Sequence, residues 1–170
     1  MFGGVVLGID PGLATTGLAV LAQGDGRPEI MWSYTVKTPA GLPEPLRLRL
    51  LYAQVRDAIG EHRPDALAVE RLMWGRNVGS AMNVARATGV AFLAAADSGV
   101  PVEEYAPLEV KMAVAGVGNA GKDQVRRALT RTHGLAAVPE QPDAADAVAV
   151  AFCHLQQSRM RTLVRMGDRA

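Results

Sequence analysis

Four carboxylates stand at three separate places in this chain, each where an acid needs a reason. Asp10 closes the apolar run Val5-Val6-Leu7-Gly8-Ile9, and Glu70 closes Ala66-Leu67-Ala68-Val69. Asp143 and Asp146 lie three apart in Pro142-Asp143-Ala144-Ala145-Asp146-Ala147. Asp and Glu are seldom fully buried unless paired or metal-bound. An acid that ends an apolar strand leaves the core at the sheet edge, where strands deliver side chains to a site. Hard oxygen donors converging from separate elements suit Mg2+ or Mn2+. Two such ions about 3.5–4 Å apart activate a water, stabilise a leaving oxygen and neutralise phosphate charge, which is what cutting a phosphodiester requires. Like charges packed so closely repel, so activity is expected to depend on metal.

Taken singly, each acid has a plainer explanation. Asp10-Pro11-Gly12 is ordinary turn chemistry, and Glu70 beside Arg71 reads as a paired surface acid. Asp143 and Asp146 follow Pro142, in the first turn of a helix, where acids favour the helix dipole. The combination shifts the balance towards a metal site: three independent elements each present an acid at an end, and residues three apart share a helix face.

The elements that must gather these acids follow from the hydrophobic pattern. Val5–Ile9 reads as a strand buried on both faces. Thr15–Leu21 and Glu29–Val36 follow across short turns, close enough to pair antiparallel. A Pro/Gly-rich loop from Thr38 to Pro45 leads to a helix over Leu46–Ile59. Asp65–Glu70 is a fourth strand and Val100–Tyr105 a fifth. Helices are expected around Leu108–Ala115, over Lys122–Thr132, and from Pro142 to about Gln157. Asn77–Asp97 reads as a long helix that is small or apolar on almost every side, with Asn83 and Arg86 the main exceptions. Such a helix needs burial on more than one face, and a second subunit is a candidate for the face the sheet leaves open. The order β-β-β-α-β-α-β-α-α-α gives a five-stranded mixed α/β sheet, three antiparallel strands and then parallel ones, with helices on both faces. We expect one domain over 1–158 and a basic, mobile tail over 159–170.

Composition sets the outer bounds. A chain of 170 residues, 49% of them apolar, can build a full core and is not of the disordered class. No stretch reads as the roughly 20 apolar residues of a membrane span, and Asp10 interrupts the first apolar run, so neither a span nor a signal peptide is expected. Cys153 is the single cysteine, which rules out an internal disulfide and a cysteine zinc cluster. A cytoplasmic protein is the default. The net charge of +1 announces no nucleic-acid partner, although basic residues gather at Arg71, Arg76 and Arg86, and again at Lys122, Arg126, Arg127 and Arg131.

Gly8-Ile9-Asp10-Pro11-Gly12 with Thr16-Gly17, then Val69-Glu70, then Asp143-Ala144-Ala145-Asp146-Ala147 closely resembles the RuvC family of bacterial Holliday-junction endonucleases, in order and spacing and nearly end to end. The resemblance implies a ribonuclease H-like fold. It implies a homodimer that makes paired nicks in two like-oriented strands of a four-way DNA junction, using two Mg2+ or Mn2+ ions per site. It gives Asp10, Glu70, Asp143 and Asp146 the catalytic, metal-binding roles, and sets Lys111 and Lys122 against DNA phosphates. It implies company with the branch-migration proteins RuvA and RuvB. The family usually carries an aromatic three residues after the catalytic glutamate, to stack on an unpaired base. Here Met73 occupies that place and Trp74 follows, with Arg76 and Asn77 as further DNA contacts. Stacking is worth roughly 1–3 kcal/mol per base, so the change matters. Trp74 takes the role by a small loop shift, Met73 wedges without stacking, or Trp74 belongs to the core.

Gly116-Val117-Gly118-Asn119-Ala120-Gly121-Lys122 fits part of a P-loop, but Asp123 stands where Ser or Thr is required and a helix precedes it, so ATP binding is rejected. His62, His133 and His154 have no ligand spacing, and Cys153 is expected buried and inert. A ribosomal-RNA nuclease of the same fold, a two-domain phosphate-binding ATPase and a non-catalytic DNA-binding protein are the alternatives. The Asp143/Asp146 pair, the chain length and the intact acidic set count against them in turn.

Overall fold

The computed structural model describes residues 4–24, 26–72 and 78–167, with side chains through Met160. Met73, Trp74, Arg76 and Asn77 lie outside the described residues.

The chain alternates as the pattern predicts. β1 (Val5–Asp10), β2 (Thr15–Gln23) and β3 (Pro28–Lys37) form an antiparallel meander, followed by α1 (Glu44–His62), β4 (Ala66–Glu70), α2 (Val78–Asp97) and β5 (Val102–Tyr105). Then come α3 (Pro107–Ala115), α4 (Lys122–Arg127) with a π-helical turn over Ala128–Thr132, and α5 (Pro142–Gly167). The sheet order is β3-β2-β1-β4-β5, with β1 and β4 parallel and β4 and β5 parallel. This is the mixed five-stranded sheet expected from the order of elements.

Period-2 alternation splits the core into two layers. Leu7, Ile9, Leu18, Val20, Leu67 and Val69 face α1 and α2, meeting Leu51, Val55, Ala87 and Ala91. Val6, Ala19, Leu21, Ala68 and Tyr105 face the other way, onto α3, α4 and α5. Successive strand residues point to opposite faces, so Asp10 and Glu70 belong to the α5 side.

Helix ends follow local chemistry. α1 stops at Arg63, in the left-handed region at φ 46°, just ahead of Pro64. Gly116, at φ 73°, ends α3. The expected helix over Lys122–Thr132 is α-helical only to Arg127 and then widens, its end marked by the bond from the His133 amide to the Ala128 carbonyl. α5 runs to Gly167, ten residues beyond the expected end near Gln157. The segment from 159 to 167, read from its basic composition as a tail, is thus regular helix; no Pro or Gly intervenes before Gly167 to stop the helical hydrogen bonds.

By length and composition alone α2 is apolar enough to cross a membrane, with a mean hydropathy of 1.2 over an 18-residue window. The apolarity comes from its seven alanines and three valines with Phe92 and Leu93, interrupted by Asn83 and Arg86. Within the fold Ala81, Ala87, Thr88, Ala91, Ala94 and Ala95 are buried, while Val78, Met82 and Leu93 stand exposed on the outer side.

Candidate active site

Asp10 is the last residue of β1 and Glu70 the last of β4. The parallel register pairs Ile9 with Val69, so the two acids emerge side by side, one residue further on. Gly12 to Thr16 anchors the turn that follows. The Thr16 hydroxyl donates to the Gly12 carbonyl at 2.6 Å and accepts from the Gly12 amide at 3.2 Å. The buried Thr38 hydroxyl donates to the Leu13 carbonyl at 2.5 Å, and Arg47 Nε donates to Thr38 at 2.9 Å. The turn that releases Asp10 from the sheet is therefore held from β2, from the end of β3 and from α1. Thr38 and Arg47 went unremarked in the sequence, because partners 25 and 34 residues from Leu13 leave no local signal.

α5 brings the other two acids. It can do so because two glycines let its backbone touch the sheet. A Cβ on Gly17 would lie 1.8 Å from the Asp143 carbonyl oxygen and 2.8 Å from the Ala144 nitrogen. A Cβ on Gly8 would lie 2.2 Å from the Ala147 carbonyl oxygen. Neither contact leaves room for any side chain. Ala144 and Ala147 are buried beneath the helix, and Asp143 and Asp146 turn towards the strand ends.

The acids lie near enough to act on one another's charge. The Asp10 carboxyl is pushed up to about 7, first by burial, then by Asp146, Glu70 and Asp143, with Lys122 pulling the other way. Glu70 is raised by burial and by Asp146, and lowered by Lys122 and Lys111. Lys122 Nζ lies 2.5 Å from Asp146 Oδ2, and this hydrogen bond, with the charges of Asp146, Asp10 and Asp143, outweighs partial burial and raises its ammonium. Both predicted lysines therefore stand beside the acids. Arg71 does not pair with Glu70 as the plainer reading supposed; its guanidinium reaches the Glu104 carbonyl at 3.5 Å.

The acids converge without closing into a tight cluster. Among the described residues, no three His, Cys, Asp or Glu side chains lie close enough to hold a metal ion as they stand. Asp146 is instead paired with Lys122. The donor set nonetheless fits a divalent cation: four carboxylates come from three elements, and burial together with the neighbouring acids raises the Asp10 carboxyl to about 7.

That crowding has a measurable consequence. Asp10 binds its proton more tightly when folded, at about 7 against 3.8 in the unfolded chain. Between those values the folded state carries the extra proton, so stability falls as pH rises and the loss is complete above about pH 7. In chelator, the thermal midpoint should drop between pH 5 and 8, and Mg2+ should restore more at pH 8 than at pH 6. A flat midpoint across that range would remove the basis for a crowded acidic site.

The rest of the titratable inventory stands apart. Cys153 is buried, and burial pushes its thiol up to about 12, leaving it inert as expected. His133 Nε2 lies 2.7 Å from the Val114 carbonyl, and His154 Nδ1 2.9 Å from the Tyr105 hydroxyl. The supposed P-loop is preceded by the helix α3, and Lys122 begins α4.

Residues 6–154 match the family described as crossover junction endodeoxyribonuclease RuvC. The chain belongs to the RuvC family. A Chloroflexus aurantiacus member is 47% identical over 161 residues, covering 95% of this chain and 97% of the relative. A Thermotoga maritima member is 38% identical over 163 residues, covering 96% and 97%. Among solved structures, T. thermophilus RuvC in complex with a Holliday junction substrate superposes with a TM-score of 0.87 at 37% identity, covering 94% of this chain and 97% of that one. Family membership also places the five-stranded sheet among ribonuclease H-like folds, as the resemblance implied.

Proposed function

We propose that this chain resolves four-way DNA junctions by metal-dependent nicking, with Asp10, Glu70, Asp143 and Asp146 holding two divalent cations, Mg2+ or Mn2+. The carrying observation is that the Asp10 carboxyl feels Asp146, Glu70 and Asp143 together at the strand ends. Bound metal supplies an activated water and neutralises charge on the phosphate. The chain itself supplies the rest. β1 and β4 fix two carboxylates side by side, and the glycine contacts under α5 fix the other two. Lys122 and Lys111 bring positive charge to the opening, where they bind and orient a DNA phosphate. Divalent-metal dependence goes with the family; the identity and number of ions belong to this proposal. Met73, Trp74, Arg76 and Asn77, directly after Glu70 in sequence, are proposed to meet the junction's unpaired bases and nearby phosphates.

Paired nicks need paired sites, which a two-fold dimer provides. α2 offers the surface: Val78, Met82, Ala85, Gly89 and Leu93 recur at helical spacing and are all exposed. Leu93→Glu should convert a dimer to a monomer in sedimentation velocity and uncouple the two nicks. An unchanged sedimentation coefficient would place the interface elsewhere. RuvA and RuvB are proposed as partners on family grounds.

The test of the whole reading is cleavage of a mobile synthetic four-way junction. Symmetric nicks in two like-oriented strands are expected with Mg2+ or Mn2+, and none in EDTA. Equal cutting of structured RNA would turn the assignment to the ribosomal-RNA alternative.

A further inference from the structure

α5 is fastened to the sheet unevenly. On the β1–β2 side the helix backbone rests on Gly8 and Gly17, so backbone contact sets the spacing. On the β4 side the apolar residues that share the α5 face are small, Ala66 and Ala68, so bulk does little to set the separation. The neighbouring strand supplies what is missing. Tyr105 ends β5 in register with Glu70, and the Arg71 amide donates to its carbonyl at 2.8 Å. Neighbours in register share a face, so the Tyr105 ring runs into the same layer as the Glu70 carboxylate. It is 2% exposed and among the largest fully buried side chains. Its hydroxyl lies 2.9 Å from His154 Nδ1 on α5, and the two rings meet edge to face at 5.8 Å and 84°. His154 stands eight residues beyond Asp146, about 12 Å along the helix.

We propose that the Tyr105–His154 hydrogen bond is a positioning device that fixes the β4–β5 edge against α5, and so sets the separation between Glu70 and the Asp143/Asp146 pair for metal binding. This rests on reading those acids as the metal site. Neither residue touches the ion or DNA. The effect is geometric: carboxylates delivered by two separate elements bind one ion well only if the elements are held at one spacing. A phenol hydroxyl bonded to an imidazole gives one distance, where apolar packing alone accepts a range.

Tyr105→Phe keeps the ring and removes the bond. The test is Mn2+ binding by calorimetry on the full chain without DNA, beside thermal melts and the metal dependence of junction cleavage. Tyr105→Phe should weaken Mn2+ binding roughly tenfold, the scale on which groups that orient metal ligands act. The metal concentration for half-maximal cleavage should rise in step, with junction affinity unchanged. His154→Ala should match it, and the double variant should be no worse than either single one. His154→Gln, which retains an acceptor, should recover most of the loss. Tyr105→Phe with wild-type Mn2+ affinity, whatever its melting temperature, would reduce the bond to a structural contact and overturn the proposal. Asp10→Asn is the control that separates the two readings. If it too binds Mn2+ like the wild type, the four-acid assignment fails, and the positioning role falls with it.

Discussion

Asp10→Asn should give a protein that binds a four-way junction and does not cut it. The substitution keeps the shape of the side chain and removes one charge from the most crowded carboxylate of the set. Junction affinity rests on phosphate contacts made by basic groups, so the dissociation constant should stay within about threefold. Cleavage should fall by about 10³-fold or more, at or beyond the upper end of what loss of one electrostatic contributor to a transition state costs. A second effect distinguishes a charge-crowded site from ordinary turn chemistry. Asp10 is raised by burial and by three neighbouring acids, so removing its charge relieves repulsion in the metal-free protein. Asp10→Asn should therefore melt higher than wild type in chelator at pH 8, and the difference should shrink as pH falls and vanish only below about 3.8, where Asp10 is protonated in both the folded and the unfolded chain. If the variant still nicks a synthetic junction at the normal rate, Asp10 has no part in the chemistry.

Gly17→Ala should damage both the fold and the chemistry. A Cβ there meets the Asp143 carbonyl oxygen at 1.8 Å and its carbon at 2.2 Å, both backbone atoms that no rotamer change can clear. Either α5 lifts at its first turn or β2 bends away. Overpacking of this kind typically costs about 1–3 kcal/mol, and the displaced turn is the one that carries Asp143. Cleavage should therefore fall by more than the loss of folded protein accounts for. Gly8→Ala, 2.2 Å from the Ala147 carbonyl oxygen, should cost comparable stability. Its clash lies further along the helix from Asp143, so its effect on cleavage should be smaller. Gly60→Ala is the control: it lies inside α1 with nothing within 4 Å of the added carbon. There alanine should gain about 0.5–1 kcal/mol through helix propensity. Urea unfolding with parallel cleavage assays reads all three. Wild-type stability for Gly17→Ala would show that the helix does not rest on the strand.

Much of this architecture could be read before any coordinates, for reasons that differ by element. β1 and β4 are short apolar runs that each end in an acid, and chain order alone makes β4 parallel to β1 once a helix intervenes. Asp143 and Asp146 gave themselves away by a spacing of three behind Pro142. The ends of the last two helices were harder. The widened turn after Arg127 and the run of α5 to Gly167 carry no Pro or Gly signal. The apolarity of α2 on almost every side is legible in the sequence, and the fold alone separates its buried alanines from the exposed Val78, Met82 and Leu93.

The sequence by itself determined where the four acids stand, because acids ending apolar strands are costly and local patterns expose them. It also determined the order of elements, because hydrophobic periodicity is local. Only the tertiary structure decided what holds those acids at their separation. Gly8 and Gly17 give α5 its seat, Thr38 and Arg47 brace the turn after Asp10, and Tyr105 reaches His154 from the far strand. Each is a contact between residues distant in the chain and ordinary in type, so its meaning appears only when the backbone brings the partners together.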